Sequence, residues 1–338
     1  MSNPLVSVIV PTYNQEEFVA ESIMSAVEQD YEPLEVIVSD DGSSDRTVEI
    51  IKKLASEYPS RIKAIVDGPH LGITGNCNRA AKACKGKYIA FHAGDDVFLP
   101  GKIKKQVEWL DADERRVLCA HDVEIFDSST GNCLTICSAS RERRKGIGAK
   151  LFVRFGTFVH ALSVMLRADA LPAHFFDERV PICSDWLACI ETLAGGGHFG
   201  YVEGIYTRHR RHANNITNSF YQSRMEDMLV TIALVESRYP QLVRYCREIR
   251  AQYFLLLALN SLSHGNRKHA FQYLHGSMRQ HFRVRTLCHS VLAVMPNLLR
   301  EKIITLYRSA RDAITASSWP KGAVRLFSPP GRGPWACM

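Results

Sequence analysis

Four polar clusters stand out because their residue types can do chemistry and because each follows a run that reads as a strand. They are Thr12-Tyr13-Asn14, Asp40-Asp41-Gly42-Ser43-Ser44-Asp45, Gly94-Asp95-Asp96 and Asp185-Trp186. A single Asp-Asp before Gly is often only a turn, since Asp bonds its own backbone there. Two such pairs at strand ends of one sheet point further. Converging carboxylates repel unless a cation sits among them, and hard oxygen donors suit Mg²⁺ or Mn²⁺. A Gly-rich phosphate loop is missing: Gly72-Ile-Thr-Gly75 has neither the dinucleotide pattern nor a P-loop lysine. A phosphate-bearing ligand would therefore need a divalent metal and basic side chains. Asp185 can also be read as a helix N-cap, because an apolar run follows it.

The elements that must position these clusters alternate in period. Val6–Val10, Leu34–Val38, Ile62–Val66 and Lys87–Phe91 are short, β-branched runs that read as buried strands. Between them, residues 16–28, a segment capped by Asp45, and 73–84 carry helical spacing. Strands alternating with helices of this length predict an α/β fold with a mostly parallel sheet, and open sheets of that kind bind ligands beyond the carboxyl ends of their strands. From about 100 to 215 the pattern loosens: a helix near 101–112, a strand over 116–126, a basic stretch at 141–150, then an apolar segment over 158–166. Amphipathic helices are predicted at 221–238, 241–262 and 268–281, with more from about 285, and a Pro- and Gly-rich tail closes the chain.

The chain has 338 residues, 46% hydrophobic and 23% charged, which excludes disordered and fibrous classes. Its charge is uneven. Residues 1–212 hold 25 basic and 29 acidic side chains, whereas 213–338 hold 17 and 6. Different tasks for the two parts are expected. The 10 cysteines show no tight even spacing, and Cys133 and Cys137 have no second pair to complete a zinc site. With no secretory signal at the start, reduced thiols in a cytosolic protein are expected. No apolar run reaches the roughly 20 residues that cross a bilayer.

The run VSVIVPTYNQEEFVAESIMSAVEQDYEPLEVIVSDDGSSDRTVEII resembles the opening of family 2 glycosyltransferases, the inverting enzymes of the GT-A fold. LGITGNCNRAAKACKGKYIAFHAGDD is similar to the stretch that leads into that family's metal motif. His160–Met165 (HALSVM), Ser184-Asp185-Trp186 and 210–217 (RRHANNIT) continue the likeness in order, over roughly residues 5–217. The resemblance implies a GT-A domain over 1–217, with a nucleotide-sugar part at 1–100 and an acceptor part at 100–217. A basic helical region at 218–316 and a loose tail at 317–338 follow. It implies that Thr12, Tyr13, Asn14, Asp40, Asp41, Arg79 and Asp95 face the nucleotide, with Tyr13 available to stack on the base and Asp41 to accept from uracil. It further implies Asp96 and His212 at a Mn²⁺ or Mg²⁺ ion and Asp185 as general base. His209, three residues before His212, competes for the metal role. Arg208, Arg210 and Arg211 read either as diphosphate partners or as a solvated run in a basic loop.

Two departures stand beside the likeness. Ser184 replaces a common Glu, and Cys77-Asn78-Arg79 replaces a common Arg-Asn, so a basic donor contact is lost or moved to Arg79. The resulting expectation is metal-assisted transfer from a nucleotide sugar, a UDP-sugar by choice, to a saccharide or lipid-linked acceptor in surface polysaccharide or glycolipid assembly. A catalytically silent nucleotide-sugar-binding scaffold is the alternative. A nucleotidyltransferase would need a Gly-rich loop after the first strand, and PTYNQEE is not one. The basic helices carry no nucleic-acid motif, so no nucleic-acid partner is expected. Arg279, Arg283, Arg285, Arg300, Lys302, Arg308 and Arg311 bracket the apolar stretch 287–299. That arrangement suits docking on an anionic membrane surface, placing the protein peripherally on the cytoplasmic face of the inner membrane. An ordinary helical bundle or a homo-oligomer contact is the other reading.

Overall fold

In the computed structural model, residues 3–138, 148–213, 215 and 221–280 are described. The chain divides into two compact units, one running to Leu242 and the other starting at Val243. The first unit thus continues past the boundary at 217 expected from sequence.

A nine-stranded sheet with strand order β3-β2-β1-β4-β8-β6-β9-β5 organises the first unit, and β7 pairs with β6 off that path. The expected parallel half is β1 (Val6–Thr12), β2 (Leu34–Asp40), β3 (Ile62–Ile65) and β4 (Tyr88–Phe91). Its connections are α1 (Val19–Val27), α2 (Thr47–Glu57) and α3 (Gly72–Ala81). Val6, Val8, Val10, Val36 and Val38 are fully buried, because helices cover both faces of a parallel sheet. Asp45 serves α2 as expected, its Oδ1 accepting from the Thr47 amide at 3.0 Å.

The other half is mixed. It contains β5 (Val97–Phe98), β6 (Arg116–Asp127), β7 (Cys133–Cys137), β8 (Met165–Arg167) and β9 (His198–Arg211). β8 lies antiparallel between β4 and β6, while β6 and β9 run parallel. The helices here are α4 (Lys102–Asp111), α5 (Gly148–Phe155), α6 (Ser184–Ala194) and α7 (Tyr221–Arg238). The basic run 208–211 is strand rather than loop: Arg208, His209 and Arg210 register against Glu124, Ile125 and Phe126. Alternation along that strand turns His209 away from Arg208 and Arg210, whose guanidinium groups both lie over the Phe126 ring. Arg208 pairs with Glu124 at 2.9 Å, and Arg210 reaches Glu21 at 2.5 Å. α7 joins this unit through Asp227, which accepts from the Ile182 and Cys183 amides, and through Arg238, which pairs with Asp177 and Glu191.

In the second unit α8 (Val243–Ser263) and α9 (Arg267–Gln280) pack on each other around Ala258, Leu262, Ala270 and Leu274. Of the residues expected to meet a membrane, Arg279 lies in α9, whereas Arg283, Arg285, Arg300, Lys302, Arg308, Arg311 and 287–299 lie outside the described residues, as does the tail at 317–338. Among the described residues no helix is long and apolar enough to cross a membrane. The cysteine expectation needs one correction: seven described cysteines are free thiols, but Cys137 is disulfide-bonded.

Candidate functional site

The loops after β1 and β2 are built in two layers. The inner layer is withdrawn from the surface. Asp40 is fully buried, its Oδ2 accepting from the amides of Gly42 and Ser43 at 3.0 and 2.8 Å and its Oδ1 from Thr12 Oγ1 at 3.1 Å. Gly42 makes this turn possible with φ +80°, a backbone region that side chains resist. Thr12 is 2% exposed. Thr12 and Asp40, both expected to face a nucleotide, are buried and bonded into the loop. Asn14 ties the two loops together, with Oδ1 accepting from the Ser44 amide at 2.8 Å and its own amide donating to Ser43 Oγ at 2.8 Å. Its φ of +50° is one that Asn tolerates.

Asp41 anchors the start of α3. Its two oxygens accept from the amides of Leu71 and Gly72 at 2.8 and 2.9 Å, where a helix N-terminus favours negative charge. Arg79 lies beside Asp41, 3.5 Å from its Oδ1. Its guanidinium donates to Ser39 Oγ, the Asp40 carbonyl and Asn76 Oδ1, so it braces the end of β2. The outer layer is Tyr13, half exposed, whose ring leans on that of His70 with centroids 4.9 Å apart. His70 in turn donates from Nδ1 to the Asp41 carbonyl at 2.9 Å. Two exposed rings, tilted 49° to each other over a buried carboxylate, make a partly apolar shelf suited to a heterocyclic base. His70 was missed from sequence, since it falls between β3 and α3 where no periodicity marks it.

Beyond β4 the metal-motif carboxylates part company. Asp96 is 3% exposed; its Oδ1 accepts from His209 Nδ1 at 3.0 Å and from the Arg210 amide at 2.9 Å. Although burial opposes charge on both partners, their mutual attraction wins: Asp96 is held below the ordinary carboxylate range and His209 above the ordinary imidazole range. This is a buried ion pair. Asp95 is paired instead with His212, Nε2 to Oδ2 at 3.0 Å, and the Phe18 ring backs that imidazole at 4.7 Å. Burial, and next the neighbouring Asp96 charge, push Asp95 up. Asp96 and His212, expected to share a metal, therefore have separate partners, and the more open carboxylate is Asp95, whose side chain keeps 14% exposure against 4% for Asp96. Gly94 lets this loop close on β1, because a Cβ there would lie 2.6 Å from Thr12 Cγ2.

Among the described residues no group of three or more His, Cys, Asp and Glu side chains could hold an ion by itself. The Asp95–His212 pair still fits a catalytic divalent ion. Such ions are commonly held by one or two side chains and completed by substrate phosphates and water.

Asp185 stands in the first turn of α6 and opens on a cavity of about 300 Å³ that reaches Pro11 at the end of β1 and Ala93 beyond β4. The walls are largely apolar, with Ile73, Phe91, Val159, Phe176 and Ile182 among them, and α7 contributes Arg224. Among the described residues Asp185 is the sole carboxylate of the lining. Burial raises its pKa, and the nearby Arg224 charge opposes that rise. Ser184, where the resemblance favours Glu, bonds Thr74 Oγ1 at 2.8 Å and locks α6 to α3. Cys77 lines the same cavity at the position where an Arg is common. Arg224 was missed because its helix reads only as a basic amphipathic segment.

A model of "Glycosyl transferase family 2" matches residues 7–169. An uncharacterized glycosyltransferase of Haemophilus influenzae is 30% identical over 226 residues, covering 64% of this chain and 68% of that protein. The chain belongs to glycosyltransferase family 2. An uncharacterized protein of Mycobacterium tuberculosis is 31% identical over 225 residues, 65% of this chain and 62% of its own length. The chain thus spans about three-fifths of that relative. Among solved structures, Staphylococcus aureus TarS 1–349 in complex with UDP-GlcNAc superposes with a TM-score of 0.62 at 19% identity, covering 94% of this chain and 93% of that one. The mannosyltransferase PcManGT of Pyrobaculum calidifontis, in complex with GDP-Man and Mn²⁺, gives 0.59 at 17% identity, covering 93% and 84%. These likenesses establish that this family 2 chain has the GT-A type of fold. The matched segment 7–169 holds Tyr13, His70 and Asp95-Asp96, whereas Asp185, His209, His212 and Arg224 lie beyond it.

Proposed function

We propose that this family 2 chain is an inverting, metal-assisted glycosyltransferase that uses a nucleoside-diphosphate sugar. The observation that carries the reading is a carboxylate, Asp185, alone among the described residues of a largely apolar cavity that opens along the same sheet edge as the Tyr13–His70 shelf and the Asp95–His212 pair. In direct displacement the acceptor oxygen forms its bond to the anomeric carbon as the bond to the leaving phosphate oxygen breaks. One base must take the acceptor's proton, a contribution of about 10²- to 10⁴-fold. Asp185 is that base. Double displacement would need a second nucleophile, and the cavity thiols do not supply it: burial pushes both Cys77 and Cys183 up to about 12.

Tyr13 and His70 hold the base, and Asp95 with His212 hold Mn²⁺ or Mg²⁺. A bound divalent ion neutralises charge on the departing diphosphate. Asp96 and His209 lie behind that pair and position it. UDP-sugar use is favoured by the TarS complex with UDP-GlcNAc, and the PcManGT complex with GDP-Man and Mn²⁺ makes GDP-sugars the competing donor class. The acceptor is a saccharide or a lipid-linked saccharide in surface polysaccharide or glycolipid assembly.

The test is calorimetric titration of UDP, GDP, CDP and dTDP, each with and without Mn²⁺. Metal-dependent preference for one diphosphate is expected. Binding by none of the four would overturn the reading.

A further inference from the structure

His160 belongs to the HALSVM segment, yet neither the nucleotide shelf nor the base accounts for it. Its ring lines the Asp185 cavity and lies 4.7 Å, centroid to centroid, from the ring of His209. It therefore stands between the base and the buried Asp96–His209 pair. The backbone fixes its orientation. His160 caps a short 3₁₀ turn, Ala161–Ser163, with Nδ1 accepting from the Leu162 amide at 3.3 Å, while its carbonyl accepts from Ser163 Oγ at 2.7 Å and from the Ser163 amide at 2.9 Å.

An acceptor at Nδ1 assigns the proton of the neutral ring to Nε2. Burial, the His209 charge and the Arg211 and Arg224 charges keep the ring neutral, with its pKa pushed down to about 3. Among the described residues Nε2 has no hydrogen-bond partner, and it is not one of the buried polar atoms closed off from solvent. The result is an oriented, neutral N–H donor at the wall of an otherwise largely apolar cavity. A few placed polar groups on apolar walls are how such cavities orient a ligand.

We propose that His160 is a sugar-positioning residue, donating from Nε2 to an oxygen of the transferred sugar while Asp185 addresses the acceptor. The proposal rests on the glycosyltransferase reading above. A neutral donor suits an uncharged hydroxyl or carbonyl oxygen of the sugar, whereas the anionic diphosphate belongs to the Asp95–His212 side. Nucleoside-diphosphate affinity should then be indifferent to His160, and the extra affinity of the sugar nucleotide should depend on it.

The decisive variant is His160→Asn. Asn is a strong capping residue and keeps an acceptor for the Leu162 amide, but its amide is too short to reach where Nε2 stands. Calorimetry would compare wild type and variant, with Mn²⁺, for the preferred diphosphate and for its sugar nucleotides (UDP-GlcNAc and UDP-Glc, or GDP-Man). The expected result is an unchanged melting temperature, unchanged diphosphate affinity and about tenfold weaker binding of the sugar nucleotide. His160→Gln, whose longer side chain carries an amide N–H outward, should recover part of that loss.

Equal sugar-nucleotide binding by wild type and His160→Asn would overturn the proposal. So would a parallel loss of diphosphate affinity or of melting temperature, which would make His160 a phosphate or structural residue. A wild type that binds diphosphate no less tightly than sugar nucleotide would overturn it too, while leaving the glycosyltransferase reading intact. If wild type binds none of the four diphosphates, that reading itself has failed.

Discussion

The two halves of the sheet assemble the site over different distances along the chain. At the β1–β2 end the shaping hydrogen bonds join residues close in sequence or about one βα unit apart: Asp40 to Gly42, Asn14 to Ser44, Asp41 to Leu71, with separations of 2, 30 and 30 residues. At the β6–β9 end Asp96 meets His209 and Asp95 meets His212 across 113 and 117 residues. The first end is a set of loops around two buried carboxylates that accept chiefly from backbone amides, with the Arg79 guanidinium 3.5 Å from Asp41. The second is held by side-chain pairs between carboxylates and His or Arg. Recognition by turn chemistry and recognition by paired charge respond differently to mutation, which makes the contrast testable.

The largest effect is expected at the cavity. Asp185→Asn should lower kcat by about 10²- to 10⁴-fold and leave diphosphate affinity near wild type. A base acts only when deprotonated, and burial raises the Asp185 pKa. Activity should therefore be lost as pH falls through a value above the ordinary carboxylate range. Loss of diphosphate binding in the variant, measured by calorimetry, would mean that the two ends are not separable.

The two carboxylates of the metal motif should come next, and differ. Asp96→Asn leaves the buried His209 without its partner and should destabilise the fold by about 3–5 kcal/mol, read from the denaturant midpoint at constant slope. Asp95→Asn should instead keep the fold and lose the Mn²⁺ dependence of diphosphate binding. Equal stability losses from both would erase the distinction between an inner and an outer carboxylate.

A pH-linked effect of intermediate size concerns the packing behind β6 and β9. Lys102 is fully buried, with Nζ donating to Gln106 Oε1 at 2.7 Å, and burial pushes its pKa down to about 7. The unfolded chain binds this proton up to about pH 10, so between roughly 7 and 10 the unfolded state holds more protons and the Lys102 contribution to stability rises with pH. Below about 7 the full penalty of the buried charge is present. Lys102→Met should raise the denaturation midpoint most at and below about pH 7 and flatten that dependence.

The smallest effects belong to the shelf. Tyr13→Ala and His70→Ala should each weaken diphosphate binding by about 0.5–1.5 kcal/mol, without a change in kcat at saturation. A larger loss from His70 than from Tyr13 would show that its bond to the Asp41 carbonyl, rather than ring contact, holds the shelf.

Much of the first end is legible in the amino-acid sequence. The runs Val6–Val10 and Leu34–Val38 are strands because β-branched residues buried on both faces can be little else, and Asp40-Asp41-Gly42 is a turn because Asp and Gly have backbone reasons to be there. Composition does not tell which of two adjacent polar residues faces out. Thr12 and Asp40 carry the right chemistry and point inward; Tyr13 beside Thr12 points outward. The RHRRH run shows the same limit, since a basic stretch reads as loop until its pairing with β6 is known.

By itself the sequence determined the βα alternation, the carboxylate motifs and their order, because these follow from local propensity and short-range turn chemistry. Only the tertiary structure decided that Asp96 belongs to His209 and Asp95 to His212, that Arg79 braces a strand, and that His160 and Arg224 share a cavity with Asp185. The two carboxylate–histidine pairings depend on strand register over more than 100 residues of separation. A shift of one residue in a strand turns each side chain to the other face. No local pattern carries that information.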